Sequence, residues 1–187
     1  MFKKFLERYA PEENLIKPSN SILEYYSKKL PKELIDFWRE YGFGNYGNGI
    51  IKVINPLNYS NNLYQWLGKE DIFKIPIMIS GFGEMFYYRK LSETDDDVCM
   101  LDIYYRKIEV CSYSFKEFVN DFIIDDDIKE NYLRTSLFEE GITKLGSLKD
   151  NEIFFFAPTL SLGGAENIKY VDKGDAITHQ QLLFSIR

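Results

Sequence analysis

Four short strand-like runs lie between Ile75 and Cys111, separated by tight turns or a polar loop. They are Ile75–Ile79 (IPIMI), Glu84–Lys90 (EMFYYRK), Val98–Tyr104 (VCMLDIY) and Lys107–Cys111 (KIEVC). β-Branched or aromatic residues recur in each of them, which suits a pleated surface. Ser80-Gly81-Phe82-Gly83 reads as the first turn, Leu91–Asp97 (LSETDDD) as an acidic loop, and Tyr105-Arg106 as a hairpin. The succession predicts an antiparallel meander at the centre of the chain.

The residues before it read as helical. Phe2, Phe5, Leu6 and Tyr9 share one helical face. Ser21 with Glu24 has the form of a capping box, followed by Ile22, Leu23, Tyr26 and Leu30 as the inward positions. Pro31 opens another helix with Leu34, Ile35, Trp38 and Tyr41 as its apolar stripe, ended by Gly42. Gly42, Gly44 and Gly47 spell the letters of a dinucleotide loop, but they follow a helix and precede a strand, the reverse of what that loop requires. A glycine-rich turn is expected there, then a strand at Ile50–Ile54 and a helix around Tyr59–Leu67.

After the meander, Ser114 with Glu117 forms a second capping box ahead of Phe115, Phe118, Val119 and Phe122. Asp125-Asp126-Asp127 can cap a further helix, and Thr135–Lys144 is another, closed by Gly146. Asn151–Gly164 (NEIFFFAPTLSLGG) starts as a buried strand stopped by Pro158, then alternates Leu160 and Leu162 with polar residues before a Gly-Gly turn. Ile168–Val171 reads as a short strand. Asp175 caps a last helix whose inward face carries His179, Leu182, Leu183 and Ile186.

Little of this composition is suited to catalysis. His179 is the only histidine of the 187 residues, so any Ser–His or Cys–His pair must use it, and Ser80 lacks a nucleophile-elbow context. Cys99 and Cys111 have no metal or redox spacing, although a strand-to-strand disulfide is open to them. Asp95-Asp96-Asp97 and Asp125-Asp126-Asp127 lack the glycine and terminal glutamate of a calcium loop. No catalytic residue, metal or cofactor is expected. No run is apolar enough to span a bilayer, and Met1-FKKFLERY is too charged for a signal-peptide core, so a reduced cytoplasmic protein is expected.

Charge is unevenly placed. Residues 1–90 carry 13 basic and 10 acidic residues (+3), and residues 91–187 carry 10 and 19 (−9), which sum to the net −6. An acidic C-terminal half argues against direct nucleic-acid binding and suits a basic protein partner. Asp95, Asp96, Asp97, Asp125, Asp126 and Asp127 are the candidate partner-binding residues, with exposed tyrosines, from a total of 14, as anchors.

Two stretches carry a resemblance. Leu30–Pro56 (LPKELIDFWREYGFGNYGNGIIKVINP) with LYQWL at Leu63–Leu67 resembles the GAD-like domain. LGSLKDNEIFFFAPTLSLGG with His179 downstream resembles the C-terminal domain of type VI secretion immunity proteins; Thr159 and Ser161 stand where small apolar residues are common. The resemblance implies a bacterial immunity protein that neutralises a cognate toxin by stoichiometric binding without turnover; a nuclease toxin is expected, and the acidic half of the chain suits one with a basic surface. The expected architecture is α+β: N-terminal helices, a central mainly antiparallel sheet, and a C-terminal α+β segment packed on it. The expected division is 1–112 and 113–187, with one compact unit as the alternative. A carboxylate-dependent hydrolase and a scaffold without a toxin are the rival functions. Oligomeric state is open.

Overall fold

A computed structural model describes residues 2–186. N-terminal helices α1 (Lys3–Arg8), α2 (Asn20–Tyr26) and α3 (Lys32–Glu40) lead into a six-stranded sheet. Its strands are β1 (Gly44–Tyr46), β2 (Ile51–Val53), β3 (Lys74–Ser80), β4 (Met85–Lys90), β5 (Asp96–Asp102) and β6 (Lys107–Ser112), with α4 (Pro56–Leu67) between β2 and β3. Each strand pairs antiparallel with its neighbour in chain order. The predicted meander is therefore present, extended by β1 and β2. Pro76 is tolerated within β3 because the register slips between Pro76 and Met78, where the ladder is already irregular.

The C-terminal segment is α+β. Helix α5 (Phe115–Glu117) runs into a π-type turn at Phe118–Phe122, followed by α6 (Asp126–Leu133) and α7 (Thr135–Leu145). Strands β7 (Glu152–Phe156) and β8 (Val171–Asp175) form a separate two-stranded sheet, and α8 (Ala176–Ser185) ends the described chain. This sheet docks on the meander through Phe154, whose N–H donates to Gly81 O at 2.8 Å. The Phe154 ring packs against Phe82 and Phe138, and Phe82 stacks on Phe156. The fold is thus α+β, with N-terminal helices, a central antiparallel sheet and a C-terminal mixed segment packed on it.

One face of the sheet is an aromatic layer. Residues directly opposite each other share a face, so Tyr46, Ile51, Val53, Met78 and Phe86 point the same way. Phe5 of α1 and Phe37 of α3 meet Tyr46 there, and Phe118 meets Phe86. Most of the phenylalanine excess lies in this layer and in the β7 contact.

The two edges of the large sheet differ. The outer edge of β1 is closed by the loop after α1, through bridges Pro11–Tyr46 and Ile16–Phe43. At the other end no strand among the described residues pairs with the outer edge of β6. Ile108 and Val110 are exposed on it, as are Tyr105 and Tyr113 nearby.

Several expectations need correction. Ser19, not Ser21, caps α2: its backbone is extended and its hydroxyl accepts from Ile22 N at 3.4 Å, while Ser21 pairs with Ser19. The helix ends at Tyr26, so Leu30 reaches the core from a following turn. The glycine-rich stretch contains β1 as well as a turn. Asp96 and Asp97 belong to β5, not to the acidic loop. Leu160–Leu162 is one turn of 3-10 helix with Leu162 exposed, because Thr159 O accepts from both Leu162 N and Gly164 N and curls the chain. The last strand begins at Val171, since Asn167 caps a 3-10 turn at Ile168–Tyr170. In α8 the buried positions are Ala176, Gln180 and Leu183, whereas Leu182 is exposed. A polar Gln180 faces inward because it bonds Asn62 and donates to Gly83 O at 2.9 Å.

The Gly163-Gly164 turn has a steric reason. Gly163 takes φ +88°, and a Cβ on Gly164 would lie 1.9 Å from Pro158 O. No side chain fits where the chain folds back on the Ala157–Pro158 stop.

Candidate functional site

The acidic runs divide into committed and free carboxylates. Asp97 is buried and grips Arg89 through two bonds, at 2.9 and 2.6 Å. Asp96 accepts from Tyr88 OH at 3.0 Å and from Phe115 N at 3.1 Å, which ties β5 to α5. Asp125 caps α6 by accepting from Asp127 N and Ile128 N. Asp126 is itself exposed and pairs with Arg8 at 2.5 Å and with the half-buried Lys129 at 2.7 Å. Asp95 is exposed and accepts from the hydroxyls of Ser92 and Thr94. Asp127 is exposed, and its carboxylate has no ion pair among the described residues. Asp95, Asp126 and Asp127 therefore present charge outward, while Asp96, Asp97 and Asp125 hold the fold together.

The densest arrangement of charge centres on buried Glu84 and Arg134 and reaches the surface at Glu166, and none of its charged members was picked out from the sequence. Ser80 donates its hydroxyl to Glu84, and the same oxygen accepts from Phe82 N at 3.1 Å and Glu84 N at 3.2 Å, closing the β3–β4 turn. Glu84 in turn accepts from Arg134 Nη1. Arg134 Nη2 donates to Glu166 at 3.1 Å, and Glu166 also accepts from Tyr105 OH at 3.0 Å. The guanidinium lies over the rings of Tyr104, Phe82 and Phe156, 5.3, 5.7 and 5.9 Å from their centroids. Asp102 turns inward beside it and accepts from Tyr104 N and Tyr105 N. A small cavity of about 260 Å³ opens between Glu84, Asp102, Arg134 and Tyr132.

Electrostatics favour a clamp. Burial pushes the Glu84 carboxyl above its usual range, against the pull of Arg134 and the Ser80 hydroxyl. Burial also opposes charge on Arg134, but Glu84 and Glu166 outweigh it and raise its pKa. Burial likewise works against Glu166, yet its bond to Arg134 brings its pKa down. Arg134 occupies the left-handed region at φ 50°, the single residue between α6 and α7, so its side chain is aimed by the junction of two helices. Glu84 lies in the β3–β4 turn of the large sheet, while Arg134 and the Glu166 it also holds lie in the C-terminal segment, so the cluster joins the two.

Nothing completes a nucleophilic pair here. The Ser80 hydroxyl gives its proton to a carboxylate's hydrogen bond, and His179 is elsewhere, stacked on Phe155 with ring centroids 3.6 Å apart. Burial lowers the His179 pKa. Among the described residues no group of three or more His, Cys, Asp or Glu could hold a metal ion, and no helix is long and apolar enough to cross a membrane. Cys99 and Cys111 are free thiols; the register sets Val110, not Cys111, opposite Cys99.

A second buried charge has a measurable signature. Lys52 donates to Asn45 and, at 3.0 Å, to Lys149 O, joining β2 to the chain before β7. Burial lowers its pKa to about 8, only partly offset by Asp150, Glu12 and Glu152. The unfolded lysine still binds its proton up to about pH 10.4, so between these values the unfolded state holds more protons and folding gains stability as pH rises. From pH 8 to 9.5 the protein should gain about 1.5 kcal/mol relative to Lys52→Met. Parallel urea curves of the two proteins across that range check it, and a constant difference would refute the shift.

Two family models match the chain. Residues 1–98 match the model of the GAD-like domain, and residues 112–187 match the model described as T6SS immunity protein Tdi1, C-terminal. The fold is similar to the crystal structure of Atu4351 from Agrobacterium tumefaciens, at 17% identity and a TM-score of 0.79. That likeness covers 100% of this chain and 90% of the other, and at such identity it is a likeness of fold. No curated protein matches the chain. Glu84 falls within the first matched stretch and Arg134 and Glu166 within the second. Because the first model spans just over half of the 187 residues, the protein belongs to the GAD-like domain family.

Proposed function

We propose that the chain is a cytoplasmic immunity protein that binds a cognate antibacterial toxin of a type VI secretion system and neutralises it stoichiometrically, without turnover. The observation that carries this reading is the match of residues 112–187 to the C-terminal model of such an immunity protein. Residues 1–112 and 113–187 act together as one inhibitor, held by the Glu84–Arg134–Glu166 cluster. The toxin is a nuclease whose basic, phosphate-binding surface is met by carboxylates. Asp95, Asp126 and Asp127 supply steering charge, and exposed Tyr105 and Tyr113 serve as rigid anchors.

Co-expression with the product of the neighbouring reading frame tests the reading. That product should kill alone and be tolerated with this protein, with a complex of fixed stoichiometry on size exclusion. Reversing Asp95 and Asp127 to lysine should slow association by roughly tenfold at low salt and flatten its salt dependence. Killing without rescue would end the immunity reading.

A further inference from the structure

A groove of about 580 Å³ runs between α1 and α3, well away from any role in the cluster around Arg134. Its floor is aromatic. Phe2 stacks on Phe37 with centroids 4.1 Å apart, Phe37 meets Tyr41 at 5.1 Å, and Leu6 extends the row. Its rim is acidic: Glu7, Glu33, Asp36 and Glu40 line it against a single Lys3.

The rim charge is only lightly used by the fold. Glu7–Lys3 and Asp36–Arg39 are exposed pairs, of the kind that contribute little. Glu33 and Glu40 make no ion pair among the described residues. Glu33 stands in the first turn of α3, where the helix dipole favours a carboxylate. Glu40 is different. It ends the same helix, where the dipole disfavours negative charge, so helix stability does not account for it. It also faces Tyr41, whose hydroxyl pKa is raised chiefly by a hydrogen bond to Glu40.

We propose that this groove seats a cationic segment of the toxin, with arginine or lysine stems laid over Leu6 and Tyr41, above the buried Phe2–Phe37 stack, and their heads between Glu33 and Glu40. Charge complementarity selects the occupant: four carboxylates around an aromatic floor fit long side chains that are apolar along the stem and positive at the tip. The identity of the partner rests on the immunity reading, while the chemistry of the groove does not.

The test uses a synthetic peptide of alternating arginine and leucine as probe, titrated into the full chain and followed by amide chemical shifts. Shifts should concentrate on Lys3–Arg8 and Lys32–Glu40. Glu33→Lys with Glu40→Lys should weaken binding about tenfold, and the milder Glu33→Gln with Glu40→Gln severalfold. The control pair Glu70→Lys with Glu140→Lys, both exposed and away from the groove, changes net charge by the same amount and should leave affinity within about twofold. Equal losses in both charge-reversed pairs, or shifts centred elsewhere, would overturn the proposal. In the co-expression assay, failed rescue by the unaltered chain with intact peptide binding would remove the toxin as occupant but not the cation seat. Full rescue with peptide binding indifferent to Glu33 and Glu40 would remove the groove alone.

Discussion

Replacing Arg134 with methionine is expected to cost about 3–5 kcal/mol of folding stability, because it strands the buried Glu84 carboxylate without its cation. Neutralising Glu84 by protonation would recover part of that loss, so the variant should be relatively more stable in acid than at neutral pH, the opposite trend to an ordinary carboxylate-paired protein. The sign follows from burial, which already pushes Glu84 upward while Arg134 pulls it down. Deleting the pull leaves a carboxyl that folds best protonated. The double variant Glu84→Leu with Arg134→Met should lose far less than the single one, since removing both charges also removes the desolvation cost. Urea unfolding of the three proteins at pH 5 and pH 7.5 decides it. If the single variant were as stable as the parent at pH 7.5, the cluster would be decoration and not a clamp.

The second large effect is expected at Phe154. Its ring is fully buried between Phe82 and Phe138, and its N–H completes the contact to Gly81. Phe154→Ala should cost about 3–5 kcal/mol through lost transfer energy and the cavity left behind. The ring is tightly enclosed, since Gly141 of α7 approaches it so closely that a Cβ there would sit 2.9 Å from it. Phe154→Leu should recover most of the loss. Thermal unfolding by circular dichroism reads both. A loss under about 1 kcal/mol for the alanine variant would mean that β7 is not a principal anchor between the two sheets.

How much of this was legible beforehand differs by element, for physical reasons. The meander was legible because β3 to β6 carry local signals: β-branched runs and short turns. Asp125 and Ser114 were legible as caps because a side-chain oxygen bonding the next turn is a contact within three residues. The aromatic run at Ile153–Phe156 announced burial, and Phe154 and Phe156 are buried. The Arg134 cluster was not legible. Glu84 and Arg134 are 50 positions apart, and nothing in NYLRTS marks a left-handed residue between two helices. Asp97 misled for the same reason: LSETDDD reads as a solvated loop until the register sets Asp97 opposite Arg89. In α8 the helix and its Asp175 cap were legible but the inward face was not: of His179, Leu182, Leu183 and Ile186 only Leu183 is buried, because polar Gln180 turns inward to partners in Asn62 and Gly83, far away in sequence. The acidic groove escaped notice because its rim comes from two helices, one contributing Glu7 and the other Glu33, Asp36 and Glu40.

The unequal edges of the large sheet also bear on how copies of this molecule can behave in a crowded cell. Indefinite growth of strands by edge addition requires two adhesive sides, so that each new copy offers a fresh place for the next. Here one side is sealed by Pro11 and Ile16, and only β6 is open. Joining through the edges of the large sheet must therefore stop at two copies, since a pair joined through β6 leaves only the sealed β1 sides. Lys107 on that strand and the irregular register near Cys111 make even this step harder. The large sheet of an aromatic-rich chain is in this way denied the route from a sticky strand to a fibre.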